Sequence, residues 1–148
     1  MRKVLVPPLL LILSILGMIG LSRFGPTTYW VEAPFDNVGY IMIALGVLIP
    51  VWAARIFRQR ETNIIPYRDP DKIVTEGPFK VSRNPMYLGM LLVLVGVAIK
   101  LGTLESFAFV LLFFAVANWW YIPFEEERMS EIFGDQFDTY KKSVRRWL

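Results

Sequence analysis

At 148 residues the chain has the length of one domain. Hydrophobic residues make up 55% of it, too many for an ordinary soluble surface, and their grouping into long uncharged runs places it in the all-α integral membrane class. It contains no cysteine and no histidine, which excludes disulfides, thiolate nucleophiles, Cys-ligated metals and most hydrolase and zinc mechanisms.

Met1-Arg2-Lys3 precedes an uncharged run from Val4 to Leu21. At ~1.5 Å per residue its roughly 18 residues cross most of a ~30 Å hydrocarbon core. The basic start resembles a signal peptide, but no small-residue cleavage site follows, so a retained first span is expected. Arg23 to Asn37 is a loop with the interfacial pair Tyr29-Trp30. The second span runs from Val38 to Ala54, with Pro50 expected to kink its last turn.

Arg55 to Arg83 then carries Arg55, Arg58, Arg60, Arg68, Lys72, Lys80 and Arg83, punctuated by Pro66, Pro70 and Pro78. The positive-inside rule makes this loop cytoplasmic, and a connector this long is more often functional or disordered than idle. It leads into Gly77-Pro78-Phe79-Lys80-Val81-Ser82-Arg83-Asn84-Pro85-Met86-Tyr87-Leu88-Gly89. Asn84-Pro85 reads as a helix start, with Asn as N-cap and Pro at the first helical position. Arg83 and the positive end of the helix dipole would then meet as a seat for an anion. The plainer alternative is a capped membrane helix with a positive-inside arginine.

The third span, Met86 to Ile99, is short, and Lys100 can snorkel at its end. A tight turn over Leu101-Gly102-Thr103-Leu104-Glu105 makes it a hairpin with the fourth span, Ser106 to Phe124, which closes on the aromatic belt Trp119-Trp120-Tyr121. The shortness predicts that the Arg83-Asn84-Pro85 loop dips below the headgroups, where irregular backbone must line a cavity or be buried in protein. Glu125-Glu126-Glu127-Arg128 follows at once. Three successive carboxylates at a membrane edge call for something cationic; the tail's basic residues, Lys80 or Arg83 could answer, above all for Glu127. Met129, Ile132, Phe133, Phe137, Tyr140, Val144 and Trp147 recur at helical spacing beside Lys141, Lys142, Arg145 and Arg146, predicting an amphipathic interfacial helix broken at Gly134. The expected architecture is one membrane domain over 1–148: two spans in 1–57, a cytoplasmic loop in 58–85, and a hairpin with a C-terminal helix in 86–148. About four transmembrane helices would leave both termini cytoplasmic. Gly17 and Gly20, Gly39 and Gly46, and Gly89 and Gly96 are expected to permit close helix packing.

The pattern Val74-x-x-Gly77-Pro78-Phe79-x-x-x-Arg83-Asn84-Pro85-x-Tyr87-x-Gly89, followed by Glu125-Glu126-x-x-Met129-x-x-x-Phe133-Gly134-x-x-Phe137-x-x-Tyr140-x-x-x-Val144-x-Arg146, resembles the two motifs of the isoprenylcysteine carboxyl methyltransferase and phospholipid methyltransferase superfamily. The resemblance covers about Thr62 to the C-terminus, the first two spans matching only in being apolar. It implies a multi-pass bacterial or archaeal membrane methyltransferase using S-adenosylmethionine, its cofactor held between the third and fourth spans and the C-terminal segment. Gly77, Pro78, Phe79, Arg83, Asn84, Pro85, Tyr87, Leu88 and Gly89 would then form one wall, and Tyr121, Glu125, Glu126 and Tyr140 the other. Arg83, Glu125 and Glu126 would act in catalysis. Asn84 stands where the eukaryotic enzymes have histidine, and their additional spans are missing; both departures count against a prenylated-cysteine acceptor.

The residues agree with that implication. A helix N-terminus with Arg83 suits the cofactor's carboxylate, a glutamate pair suits its ammonium, and Tyr87, Trp119 or Tyr121 suit a sulfonium. A carboxylate acceptor arrives ionised and needs no general base, which fits a chain without histidine; a carboxylate or thiol is therefore expected over an amine. The expected partners are the bilayer and a lipophilic substrate, with no metal and no nucleic acid. Two other readings remain open: an NADPH-dependent, sterol-reductase-like enzyme binding a 2′-phosphate at Lys80, Arg83 and Lys141, and a non-catalytic membrane protein.

Overall fold

In a computed structural model, which describes residues 7–60 and 72–148, the chain forms a small bundle of apolar helices. Met1–Lys3, the first residues of the expected first span, and Pro66, Arg68 and Pro70 lie outside the described residues. Helix α1 spans Pro7–Phe24, α2 Val38–Gln59 and α3 Pro85–Leu101. A run from Phe107 to Phe133 is helical throughout: α4 (Phe107–Val116), a π turn (Ala117–Tyr121) and α5 (Ile122–Phe133). Helix α6, Asp135–Ser143, follows a break at Gly134, whose φ of 50° only glycine adopts readily.

Three helical stretches, Pro7–Phe24, Phe35–Gln59 and Leu104–Phe133, are long and apolar enough to cross a membrane, and α3 is a shorter apolar helix. This agrees with the expected class, including the short third helix. Two boundaries differ. The second helix continues to Gln59, so Pro50 lies inside it rather than in its last turn. The fourth continues to Phe133, so Glu125 and Glu126 stand on helix rather than on a segment leaving it.

Helix α3 is the central element, packed against α1, α2 and α4. Its approach to α2 is set by two glycine pairs seven residues apart on each helix. A Cβ on Gly39 would lie 2.5 Å from the Gly96 carbonyl oxygen, and one on Gly46 would lie 2.7 Å from that of Gly89. Backbones meet there because no side chain intervenes, the device membrane helices use in place of water-driven burial. Gly17 serves similarly beneath the Phe109 ring, whereas Gly20 faces open space and does not serve packing.

Two apolar clusters follow. Met18, Leu94, Ala98, Val110, Phe113 and Ile122 fill the space between α1, α3 and the fourth helix. Ala53, Ile56, Val74, Phe79, Phe137 and Tyr140 form a second cluster at the end of the bundle that carries the basic loop. At the opposite end Gly102, at φ 68°, caps α3, and the Lys100 ammonium donates to Asp36 at 2.5 Å and sits over the Tyr40 ring.

Candidate functional site

Helix α3 begins with Pro85 at its first position, where a missing N–H costs nothing. The Asn84 carbonyl accepts from the Leu88 amide at 3.0 Å to close the first turn. The Asn84 side chain, however, makes no cap. Its Nδ2 donates to the Arg146 carbonyl at 3.0 Å, while Ser82 Oγ accepts the Asn84 amide at 3.1 Å. The expected local cap yields here to a long-range bond from the C-terminal segment.

That segment folds back across the start of α3. The Arg83 amide donates to the Arg145 carbonyl at 3.0 Å, and Ser82 Oγ donates to the Arg146 carbonyl at 3.3 Å. Arg83 Nη1 donates to the carbonyls of Lys141 (2.9 Å) and Val144 (3.2 Å). Its Nη2 reaches Glu126 Oε1 at 2.8 Å, and Arg146 Nη2 meets Glu126 Oε2 at 2.6 Å. One carboxylate thus bridges two guanidiniums. Arg83 and Glu126 are largely buried, at 12% and 15% side-chain exposure. Arg83 Nε is buried and has no hydrogen-bond partner among the described residues.

Glu125 is treated differently from its neighbour. Its Oε1 accepts the Tyr87 hydroxyl at 2.6 Å, and no cation pairs with it among the described residues. The Tyr87 and Tyr121 rings lie face to face, with centroids 6.2 Å apart and planes 29° apart. Trp119 and Trp120 point outward, so Tyr121 alone of the aromatic belt turns into the bundle. Glu127 is exposed and enters no ion pair among the described residues, contrary to the expected pairing with the tail.

Arg83, Asn84, Tyr87, Tyr121, Glu125 and Glu126 are therefore gathered in one place. The other candidates lie apart from it or face elsewhere. Gly77, with φ 58°, packs beside Ile56, and Phe79 packs on Phe57. The Phe79 carbonyl accepts the Tyr140 hydroxyl at 2.6 Å, and burial raises the Tyr140 pKa to about 12 against an opposing pull from Arg83. Pro78 is buried in the same region. An open groove of about 370 Å³ runs beside this pair, lined by Thr75, Lys80, Gln136, Thr139, Tyr140, Ser143 and Val144. Gly89 faces Gly46 and Pro50 of α2, and half-buried Leu88 contributes the amide of the first α3 turn.

Three participants escaped the sequence reading of the site, Ser82, Asn118 and Trp147, while Arg146, one of the tail's basic residues expected to answer the carboxylates, pairs with Glu126. Asn118 accepts Trp147 Nε1 on its side chain at 3.0 Å and Arg146 Nη1 on its carbonyl at 3.4 Å. The signal for it was present, since an amide inside an apolar span is rare without a task.

Residues 36–136 match the family described as phospholipid methyltransferase. The match takes in the second span, which extends the resemblance beyond its expected start near Thr62. Protein-S-isoprenylcysteine O-methyltransferase B of Arabidopsis thaliana is 30% identical over 146 residues, covering 92% of this chain and 70% of the relative. A probable protein-S-isoprenylcysteine O-methyltransferase of Oryza sativa subsp. japonica is 31% identical over 126 residues, covering 81% of this chain and 62% of the relative. An uncharacterized protein of Haemophilus influenzae is 40% identical over 63 residues, covering 43% of this chain and all of that protein.

Proposed function

Because the chain belongs to the phospholipid methyltransferase family, we propose that it is an integral-membrane methyltransferase that takes its methyl group from S-adenosylmethionine and passes it to a carboxylate or thiolate on a lipophilic acceptor. The observation that carries this reading is the orphaned Arg83 Nε. A buried donor without a partner is costly, so its presence beside two guanidiniums points to an acceptor supplied by a ligand. Arg83 and Arg146 share the single carboxylate of Glu126, which leaves one positive charge in excess. That suits the carboxylate of an amino-acid moiety.

Glu125 has the complementary property. Engaged by a tyrosine hydroxyl and not by a cation, it is the acid to receive an ammonium. The facing Tyr87 and Tyr121 rings offer π-faces to a soft cation. When bound, S-adenosylmethionine would supply an electrophilic methyl on a sulfonium. The residues of this chain would bind its two charged ends, orient it and exclude water. A dry site favours transfer to an anion, because opposite charges are lost as the new bond forms. Asn84 cannot titrate, and its amide is committed to the Arg146 carbonyl. The site thus lacks the usual base, which favours an acceptor that arrives ionised. The relatives are named for O-methyl transfer on isoprenylcysteine, and that supports a carboxylate.

Against the NADPH reading, Lys141, one of the three basic residues expected to take a 2′-phosphate, is already engaged: its Nζ pairs with Asp138 at 2.8 Å and with Ser130 Oγ at 3.1 Å. The basic loop and the C-terminal segment meet at one end of the bundle, which supports a cytoplasmic position for the site by the positive-inside rule.

Calorimetry in detergent micelles tests the proposal, with S-adenosylhomocysteine against NADPH. Binding of S-adenosylhomocysteine alone is expected, abolished by Arg83→Ala and by Glu125→Ala. Saturable binding of NADPH alone would reverse the assignment.

A further inference from the structure

We propose that Asn118, held in a π turn created by Pro123, is the positioning residue that seats Arg146 on Glu126. Asn118 lies on the membrane-crossing helix, away from the motifs that define the site.

The chain of cause begins in the sequence. Pro123 sits within an otherwise continuous helical run, where it has no N–H to give and its ring crowds the carbonyl four residues back. The helix responds by widening. The Ile122 amide bonds to the Ala117 carbonyl, an i to i+5 step, so Ala117–Tyr121 forms a π turn. In that register the next donor would be Pro123, and the Asn118 carbonyl is left without a helical partner. Arg146 Nη1 takes the vacancy at 3.4 Å.

The Asn118 side chain adds a second hold. Its Oδ1 accepts Trp147 Nε1 at 3.0 Å, and the Trp147 ring packs on Phe114 with centroids 5.1 Å apart. Arg146 is thereby fixed at both ends. Its carbonyl is gripped by Asn84 and Ser82 at the start of α3, and its guanidinium is gripped by Asn118 and Glu126 on the other helix. Glu126 in turn orients Arg83, the residue with the orphaned donor. Removing the Asn118 side chain frees Trp147 while the backbone carbonyl stays within reach of Arg146 Nη1, so Arg146 loses the anchor of the residue next to it and its seat on Glu126 loosens.

This inference rests on the S-adenosylmethionine reading only for its ligand, so two measurements are paired. The first is S-adenosylhomocysteine affinity of the full chain in detergent. The second is hydrogen exchange at the Arg83 amide, which donates to the Arg145 carbonyl and reports whether the C-terminal segment is seated without any ligand. Asn118→Ala removes the neutral side-chain bond to Trp147 and keeps the backbone carbonyl, so it is expected to weaken binding about fivefold, the effect of one lost neutral hydrogen bond, and to speed exchange. Trp147→Phe keeps an aromatic ring against Phe114 but loses the indole N–H and some ring volume, so it breaks the same bond from the other side and guards against a folding defect in the first variant. It should show the same two effects, and the double variant should be no worse than either single one. Trp120→Phe, an exposed neighbour in the same turn, should match the wild type.

Faster exchange with unchanged affinity would overturn the proposal, because Asn118 would then only tether the tail. Unchanged exchange in both variants overturns it whatever the affinity. If the wild-type chain does not bind S-adenosylhomocysteine, the proposed function fails separately. Accelerated exchange in both variants would then still show that Asn118 holds the C-terminal segment against the start of α3, the part of the inference that needs no ligand.

Discussion

Glu125 and Glu126 are adjacent and chemically identical, yet their surroundings assign them opposite consequences when the charge is removed. In Glu126→Gln the bridge between Arg83 and Arg146 loses its anion, and two guanidiniums face each other across a neutral amide. Breaking a buried ion pair from one side costs about 3–5 kcal/mol. Arg146 is 34% exposed and partly screened by solvent, which argues for the low end, about 3 kcal/mol. For a domain of this size that corresponds to a melting midpoint lower by about 6–12 °C in detergent. Glu125→Gln keeps an oxygen acceptor for the Tyr87 hydroxyl, so its stability cost should stay below about 1 kcal/mol. Its effect should fall on ligand binding, where loss of an ammonium–carboxylate bond costs about 1.5–3 kcal/mol, or roughly 10–100-fold in S-adenosylhomocysteine affinity. Differential scanning fluorimetry and calorimetry on the same two preparations separate the outcomes. If Glu126→Gln melts like the wild type, or Glu125→Gln alone unfolds, the division of labour between the two acids is refuted.

Other perturbations follow from the same geometry. Gly89→Ala places a Cβ 2.4 Å from the Pro50 ring and 2.6 Å from the Gly46 carbonyl, so α2 and α3 must separate at about 2–3 kcal/mol; Gly20→Ala, facing open space, should leave the melting midpoint unchanged. Arg83→Lys keeps the charge but cannot hold Glu126 and two carbonyls at once, and it should lose S-adenosylhomocysteine binding in calorimetry along with stability. Tyr140 is held neutral by burial, its pKa raised to about 12 against an unfolded value of ~10. The folded state disfavours the ionised form, so this contribution is intact below pH ~10 and fades as pH rises towards the folded value. Thermal melts between pH 9 and 12 should show the decline, and Tyr140→Phe should flatten it.

Much of this molecule is legible in its sequence because membrane length, proline and glycine act locally. The uncharged runs give the helices, Pro85 gives the start of α3, and Gly134 gives the break before α6. The hairpin turn at Gly102 brings the Arg83 and Glu125 regions to one end, as their spacing implies. What the sequence hides depends on competition over distance. Asn84 has the composition of an N-cap, but the Arg146 carbonyl, 62 residues away, wins its amide. Glu126 and Glu125 cannot be told apart by neighbours in sequence, because the deciding partners, two arginines and a tyrosine, arrive from two other segments, the start of α3 and the C-terminal tail. The extension of the fourth helix past Phe124 is hidden for a related reason. The expected span stops at Phe124 because charge begins at Glu125, whereas the helix takes up Pro123 after a π turn and continues through both acids.

The short third helix explains why the C-terminal segment folds back. Seventeen residues reach about 26 Å, less than a ~30 Å core, and the Lys100–Asp36 pair anchors the far end. We propose that the start of α3 accordingly lies below the headgroups, where water is scarce and polar groups need partners within the protein. The chain supplies them from its last eight residues: the carbonyls of Lys141, Val144, Arg145 and Arg146 receive the Arg83 guanidinium, the Arg83 amide and the side chains of Ser82 and Asn84. At this end, among the described residues, Arg83 Nε alone stays buried and unanswered. A segment that satisfies every neighbouring donor and leaves that one open does more than seal a helix end. It forms the wall against which an anion would bind, so substitutions in the tail should register in ligand affinity and not in stability alone.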